Sequence, residues 1–82
     1  MTAPNPRARY QVPDEIIVRY EAFRAAMRKR RVDLGLTQTD VATRMGRSPD
    51  YVAVLENNRS IPNLVTIWLW TDALGGELAP RW

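Results

Sequence analysis

The sequence predicts an all-α domain of four or five helices, and three observations support this fold class. Apolar residues recur three and four positions apart along most of the chain, which is the spacing of one helix face. Residues typical of helix ends interrupt this pattern, among them a capping box formed by Thr37 and Asp40. Residues 38–57 hold two short amphipathic helices joined by a glycine. Together these features predict a compact bundle with an extended first helix.

The extended first helix is expected to follow a basic arm. Residues 1–12 contain Pro4 and Pro6 and have no apolar period, so we expect a flexible arm there. Pro13 and the two acids after it favour a helix start, and Gly35 marks the helix end. The apolar stripe predicted to face the core comprises Ile16, Tyr20, Phe23, Met27 and Leu34.

The segment 38–57 has the arrangement of a helix-turn-helix. Gly46 supplies the positive φ that the sharp turn between the helices is expected to need. Ser48 is expected to cap the second helix of the pair, and Pro49 to occupy its first position. The residues predicted to face the core are Val41, Ala42, Met45, Val52 and Leu55. Because the second helix of such a pair often lies in a major groove, the segment predicts a reader of double-stranded DNA.

A last helix is predicted from Pro62 to Leu74, where two glycines stop it. Its inward stripe is expected to comprise Leu64, Ile67, Trp70 and Leu74. The helix-turn-helix domain then spans residues 13–78, and residues 79–82 form a short tail.

Trp68 and Leu69 lie off this inward stripe, where we expect them to be exposed in a monomer. Large exposed apolar side chains are typical of an interface, so this pair predicts a homodimer contact. A symmetric contact would suit palindromic half-sites, which lie about one helical turn (~34 Å) apart. Alternatively, Ile17 and Val18 of the first helix would cover the pair.

The composition excludes several classes of site. The 82 residues include no cysteine and no histidine, which excludes a disulfide scaffold, a Cys/His zinc finger and a catalytic triad built on these side chains. Because there is also no glycine phosphate loop and no recognisable carboxylate pair, we expect no enzyme, no cofactor and no metal. No apolar run is long enough to cross a membrane and no secretory signal opens the chain, so we expect a soluble cytoplasmic protein.

The net charge of +3 is unevenly distributed along the chain. Residues 1–31 carry eight basic and three acidic side chains, whereas residues 32–82 carry four basic and six acidic ones. The predicted DNA reader is therefore not itself a basic patch. Attraction to phosphates has to come mainly from the two arginines of the arm and from the cluster between Arg24 and Arg31.

These residues together resemble the lambda-repressor-like (Cro-type) helix-turn-helix family. The resemblance covers roughly residues 24–78 and rests on segments 31–38, 41–42, 45–52, 55–57, 62–64, 66–67 and 73–75. It implies a compact bundle of about five helices that binds operator DNA as a dimer. It also implies a partly buried ion pair between Arg31 and Glu56, which ties the first helix to the third.

The resemblance assigns DNA contacts to residues around the two short helices. Gln38 would bind a phosphate and brace the reading helix, while Asn57 and Arg59 would hold phosphates on its far side. The positions expected toward the base edges are Pro49, Asp50, Tyr51 and Val54. The remaining predicted DNA contacts are Ser48, Arg31, Arg44 and Arg47.

Two departures from the family pattern affect these assignments. Asn58 replaces a common glycine, although asparagine also adopts the left-handed conformation. The positions expected toward the bases lack the Gln, Arg or Lys that make bidentate base contacts. Asp50 can accept from a cytosine amino group, and Tyr51 and Val54 can contact a thymine methyl. Direct readout is therefore sparse, and nearby arginines, the arm and DNA shape are expected to contribute.

We therefore expect a small dimeric transcriptional regulator, namely a repressor of the phage-repressor or Cro type that blocks transcription from an operator. The alternative is an antitoxin or adaptor that uses the same fold to bind a protein partner. The acidic balance of residues 32–82 and the exposed Trp68 favour this alternative.

Overall fold

Four helices form the part of the chain that the computed structural model describes, residues 12–57 and 61–81. They are α1 (Asp14–Asp33), α2 (Gln38–Arg44), α3 (Tyr51–Asn57) and α4 (Leu64–Ala73), and these residues contain no strand. The all-α prediction and the extended first helix are confirmed, with four helices rather than five. The expectations for Asn58, Arg59 and nearly all of the arm lie outside the described residues.

The core lies where α1, α2, α3 and α4 converge. Trp70 is completely buried at its centre, and the Phe23 and Trp70 rings pack in a T-shaped arrangement with 6.0 Å between their centroids. The buried apolar residues are Met27, Val41, Ala42, Met45, Val52, Leu55, Trp70, Ala73 and Leu74. All five residues predicted to face the core from the helix-turn-helix are therefore confirmed.

The entry to α2 is fixed by the predicted capping box. The Asp40 amide donates to the Thr37 hydroxyl oxygen at 3.0 Å, and the Thr37 amide donates to the Asp40 carboxylate at 2.8 Å. These hydrogen bonds with Thr37 lower the pKa of Asp40, since they favour its ionised form. A helix of only seven residues is marginal by itself, so such end contacts matter for its start.

The turn between α2 and α3 differs in one respect from the prediction. Gly46 has the expected positive φ of 66°, and the Arg47 amide donates to the Ala42 carbonyl at 2.9 Å. However, α3 begins at Tyr51 rather than at Pro49, because residues 49–50 form a turn in which the Tyr51 amide donates to the Ser48 carbonyl. The turn therefore keeps Pro49 outside the regular helix.

Three members of the predicted apolar stripes are exposed. Ile16 lies near the start of α1, Leu34 follows its last residue, and Leu64 is the first residue of α4. Helix ends extend beyond the packed middle of the bundle, so correct spacing does not bury a side chain there. The central positions of both stripes, Met27 and Trp70, are buried as predicted.

Trp68 and Leu69 also differ from each other. Leu69 is half-buried against the core, which corrects the expectation that it is largely exposed. Trp68 remains 48% exposed, and its indole N–H donates to the Leu78 carbonyl at 2.9 Å. Ile17 and Val18 are themselves exposed, so they do not cover Trp68. The alternative in which the first helix shields this surface is therefore wrong.

Replacing Gly46 with alanine is expected to destabilise the domain by about 1–2 kcal/mol, the cost of placing an L-residue in the left-handed region. Nothing lies within 4 Å of a Cβ at this position, so the loss would be conformational rather than steric. Gly46→Asn is the matched control and should lose less, because asparagine tolerates this backbone. Urea unfolding of the three proteins measures the difference, and equal stability of the alanine variant would contradict it.

Candidate nucleic-acid interface

Glu56 of α3 is the centre of a hydrogen-bond network that joins three helices. Its carboxylate accepts from Arg31 Nε at 2.7 Å and from Arg31 Nη2 at 3.1 Å, which is a bidentate ion pair. It also accepts from Gln38 Nε2 at 3.1 Å. The Arg31 guanidinium makes one further donation, from Nη1 to the Leu36 carbonyl at 2.9 Å. The ion pair between the first and third helices that the resemblance implies is therefore present.

Burial makes this network more than a surface contact. The Glu56 side chain is 1% exposed and the Arg31 side chain 13% exposed. The hydrogen bond with Glu56 raises the pKa of Arg31, although burial acts in the opposite direction. Because both charges have partners in good geometry, the network fixes how α3 lies relative to α1 and α2. Gln38 has the bracing contact to α3 that was expected of it.

The exposed side of α3 carries three of the residues predicted to contact DNA. Val54 and Asn57 lie three residues apart on one face of α3, and Asp50 directly precedes the helix, where its carbonyl accepts from the Val54 amide at 3.3 Å. All three are exposed, and the opposite face holds the buried Val52. Pro49 is also exposed in the turn that precedes α3. These side chains form an exposed stripe of polar and apolar groups along the turn and α3.

Tyr51 has a different environment from its predicted neighbours on this stripe. It is half-buried against the core, and its hydroxyl lies 3.5 Å from the Thr66 hydroxyl on α4. The reason is helical periodicity, since Tyr51 and the buried Leu55 are four residues apart and share a face. Part of the Tyr51 ring therefore belongs to the packing between α3 and α4, and a base contact by its exposed part stays a prediction.

The turn between α2 and α3 places a cation beside this stripe. Arg47 is exposed, and its guanidinium carbon lies 5.6 Å from the centroid of the Tyr51 ring, which is a cation–π contact. Ser48 is exposed next to it. Arg47, Ser48, Pro49, Asp50, Val54 and Asn57 are therefore accessible together along the turn and the outer face of α3.

Arg44 has a structural contact that the sequence pattern did not indicate. Its Nη1 donates to the Ala73 carbonyl at 3.1 Å, and Arg30 Nε donates to the Leu74 carbonyl at 3.1 Å. Two cations therefore meet the negative C-terminal end of α4 and hold it against α1 and α2. A DNA contact by Arg44 stays a prediction. The last carbonyls of a helix have no partner within it, so the end of the predicted last helix was the feature of the sequence that could have indicated these contacts.

Other kinds of site find no support in the described residues. Among residues 12–57 and 61–81, no helix has the length and hydropathy needed to span a bilayer. In the same part of the chain, acidic side chains do not gather in groups of three that would hold a metal ion.

Removal of the Glu56 carboxylate is expected to be costly, because it would leave the Arg31 cation buried without a counter-charge. We expect Glu56→Ala to lower the free energy of unfolding by about 3 kcal/mol, the scale for breaking a buried ion pair. Glu56→Gln keeps hydrogen-bond acceptance and should lose less. Glu77→Ala, which removes an exposed carboxylate, should stay within about 0.5 kcal/mol of the parent. Denaturant unfolding of the four proteins tests this order.

Comparison with known proteins identifies the family of this helix pair. A family model described as helix-turn-helix matches residues 27–80, which is more than half of the chain. No curated protein and no solved structure matches the chain. The matched span includes the Arg31–Glu56 ion pair, the glycine turn and the exposed stripe of α3. The chain therefore belongs to the lambda-repressor-like (Cro-type) helix-turn-helix family, whose members are DNA-binding transcriptional regulators.

Proposed function

We propose that this protein is a dimeric transcriptional repressor of the phage-repressor or Cro type, which binds a two-fold symmetric operator. The observation that carries the proposal is the outer face of α3. Asp50, Val54 and Asn57 are exposed along it, while Glu56 holds the opposite side of the helix in place. A helix fixed on one face and accessible on the other suits insertion into a major groove.

The chemistry of the exposed stripe defines the kind of operator that it would read. The Asp50 carboxylate can accept from the amino group of cytosine, and the Val54 methyl groups can contact the methyl group of thymine. Arg47 and Asn57 would donate to phosphates on either side, with Gln38 and Arg59 as further phosphate ligands. Because so few side chains can make bidentate base contacts, DNA shape would supply part of the specificity.

The outer face of α4 supports the proposed homodimer. Six of the first seven residues of this helix are apolar, although a helix that is apolar on all sides is normally buried on all sides. Val65 is 63% exposed and Trp68 48% exposed, and with Leu69 and Asp72 they line a shallow depression of about 320 Å³. A second copy of α4 across a two-fold axis would cover this surface.

An antitoxin or protein-binding adaptor is the second candidate function. The same apolar face of α4 favours it, together with the excess of acidic over basic residues in positions 32–82. In this case Trp68 would contact another protein rather than a second copy of the chain. In the first candidate function the outer face of α3 binds an operator, whereas the second does not require this contact. A test of DNA binding therefore distinguishes the two.

Selection from a library of random duplex DNA is expected to enrich a two-fold symmetric site if α3 reads an operator. Binding to the selected site should weaken steeply with salt, because each neutralised phosphate contributes a slope of about −0.9 to the plot of log affinity against log salt. Arg47→Ala should weaken binding by about tenfold, the scale of one charge-assisted hydrogen bond.

Arg81→Ala is the charge-matched control, since it removes an exposed arginine from the segment after α4. It should bind the selected site nearly as tightly as the parent. Failure to enrich any sequence, or an equal effect of both substitutions, would count against the operator-binding role of the outer face of α3.

Substitution of Trp68 tests the proposed dimer contact. We expect Trp68→Ser to shift the protein toward monomer in sedimentation equilibrium, because the contact loses its largest apolar side chain. Trp68→Phe removes the hydrogen bond to Leu78 but keeps most of the apolar surface, so it should retain more dimer. Val18→Ser removes an apolar side chain of α1 that is 62% exposed, and it should leave the association unchanged. A parent protein that is monomeric at all concentrations would refute the dimer.

A further inference from the structure

A line of cations extends along α1 from the Glu56 network toward the start of the helix. Arg28 is three residues before Arg31, and Arg24 is seven residues before it, so all three lie on one side of α1. At a rise of about 1.5 Å per residue, the line covers roughly 10 Å. The family match begins only at residue 27, so Arg24 precedes the matched region and Arg28 lies at its edge.

An open groove of about 430 Å³ follows this line. Its lining on α1 includes Glu21, Arg24, Arg28 and Lys29, and Glu56 of α3 forms its far side. The charge of Glu56 is already balanced by Arg31, and its oxygens accept from Arg31 and Gln38. The groove lining holds three basic side chains, Arg24, Arg28 and Lys29, and two acidic ones, Glu21 and Glu56.

Most cations near the helix pair already have structural partners. Arg31 is bound to Glu56, whereas Arg30 and Arg44 hold the end of α4. Lys29 pairs with Asp33 at 2.5 Å. Arg28 differs, since its side chain is exposed and makes no hydrogen bond or ion pair with any described residue. It is therefore available to an anion from outside the molecule.

We propose that this groove is a second DNA-backbone site, in which Arg28 donates to operator phosphates that lie beyond the contacts of α3. The inference rests on the proposed function and deepens it by extending the DNA footprint along α1. One end of the groove meets the Gln38–Glu56 network, and Gln38 is the residue expected to bind a phosphate. The line of cations covers about the axial rise of three phosphates on one strand, at roughly 3.4 Å each.

The charge distribution explains why such a site is needed. Residues 32–82 carry six acidic and four basic side chains, so the helix pair alone attracts DNA poorly. Arg44 of α2 donates to the Ala73 carbonyl, and Arg47 is an exposed cation in the turn between α2 and α3. Phosphate contacts along α1 would supply the attraction that this surface lacks, without adding base specificity.

Substitution of Arg28 tests the site, with Arg19→Ala as the matched control. Arg19 is also exposed on α1, but it is nine residues from Arg28, which is two and a half turns and places it on the opposite face. The salt dependence of affinity for the selected operator is measured for parent, Arg28→Ala, Arg28→Lys and Arg19→Ala. Circular dichroism checks that each variant retains its helices.

We expect Arg28→Ala to reduce the magnitude of the salt slope by about 1 and to weaken binding on the order of tenfold at 50 mM salt, with the selected sequence unchanged. Arg28→Lys should restore most of the slope, and Arg19→Ala should match the parent. Phosphate-ethylation interference should show positions outside the half-site that the parent needs and Arg28→Ala does not.

The outcomes separate this proposal from the proposed function. If the parent enriches no operator or binds with a flat salt response, the proposed function fails and this site fails with it. If the parent binds its operator but Arg28→Ala and Arg19→Ala behave alike, the groove is not a DNA site. In that case the operator-binding role of α3 stands, and the groove is a solvated helix face or faces an acidic protein.

Discussion

The position of α3 depends on one buried carboxylate. Glu56 is nearly inaccessible to solvent, and it is held by Arg31 from α1 and by Gln38 from α2. A helix of seven residues has little stability by itself, so its orientation must come from tertiary contacts. The apolar side of α3 supplies the packing, but packing alone permits sliding and rotation. The bidentate geometry of Arg31 restricts both, because the two hydrogen bonds define a direction as well as a distance.

Within the described residues, some arginine side chains donate to other elements of the fold and others do not. Arg30, Arg31 and Arg44 each donate to a group on another helix or loop, so their positive charges serve the arrangement of α3 and α4. Arg28 and Arg47 are exposed, and among the described residues their side chains make no such donation. A count of basic residues therefore overstates the charge available to a polyanion, and the geometry of each guanidinium decides what it can bind.

The sequence predicted the helix-turn-helix closely because its signals are local. Thr37 with Asp40, and Gly46 in the turn, act through contacts a few residues apart, and the structure has both as expected. The predictions that were wrong depend on where each helix ends relative to the helices around it. Ile16 and Leu64 have core spacing but lie at helix starts, where no described helix covers them. The contact of Arg44 with α4 and the half-burial of Tyr51 required knowledge of how α4 crosses the pair.

In the proposed function, most of the side chains on the outer face of α3 would serve DNA recognition rather than stability. Asp50, Val54 and Asn57 contribute little to the core, so changes there would alter recognition at small cost to folding. Tyr51 is the exception. Its ring packs against the core and lies near Thr66, while Arg47 stacks on it from the turn. A change at Tyr51 would therefore disturb both the packing of α4 and the position of the exposed cation. Tyr51 therefore connects the surface proposed to contact DNA with α4, whose outer face is apolar.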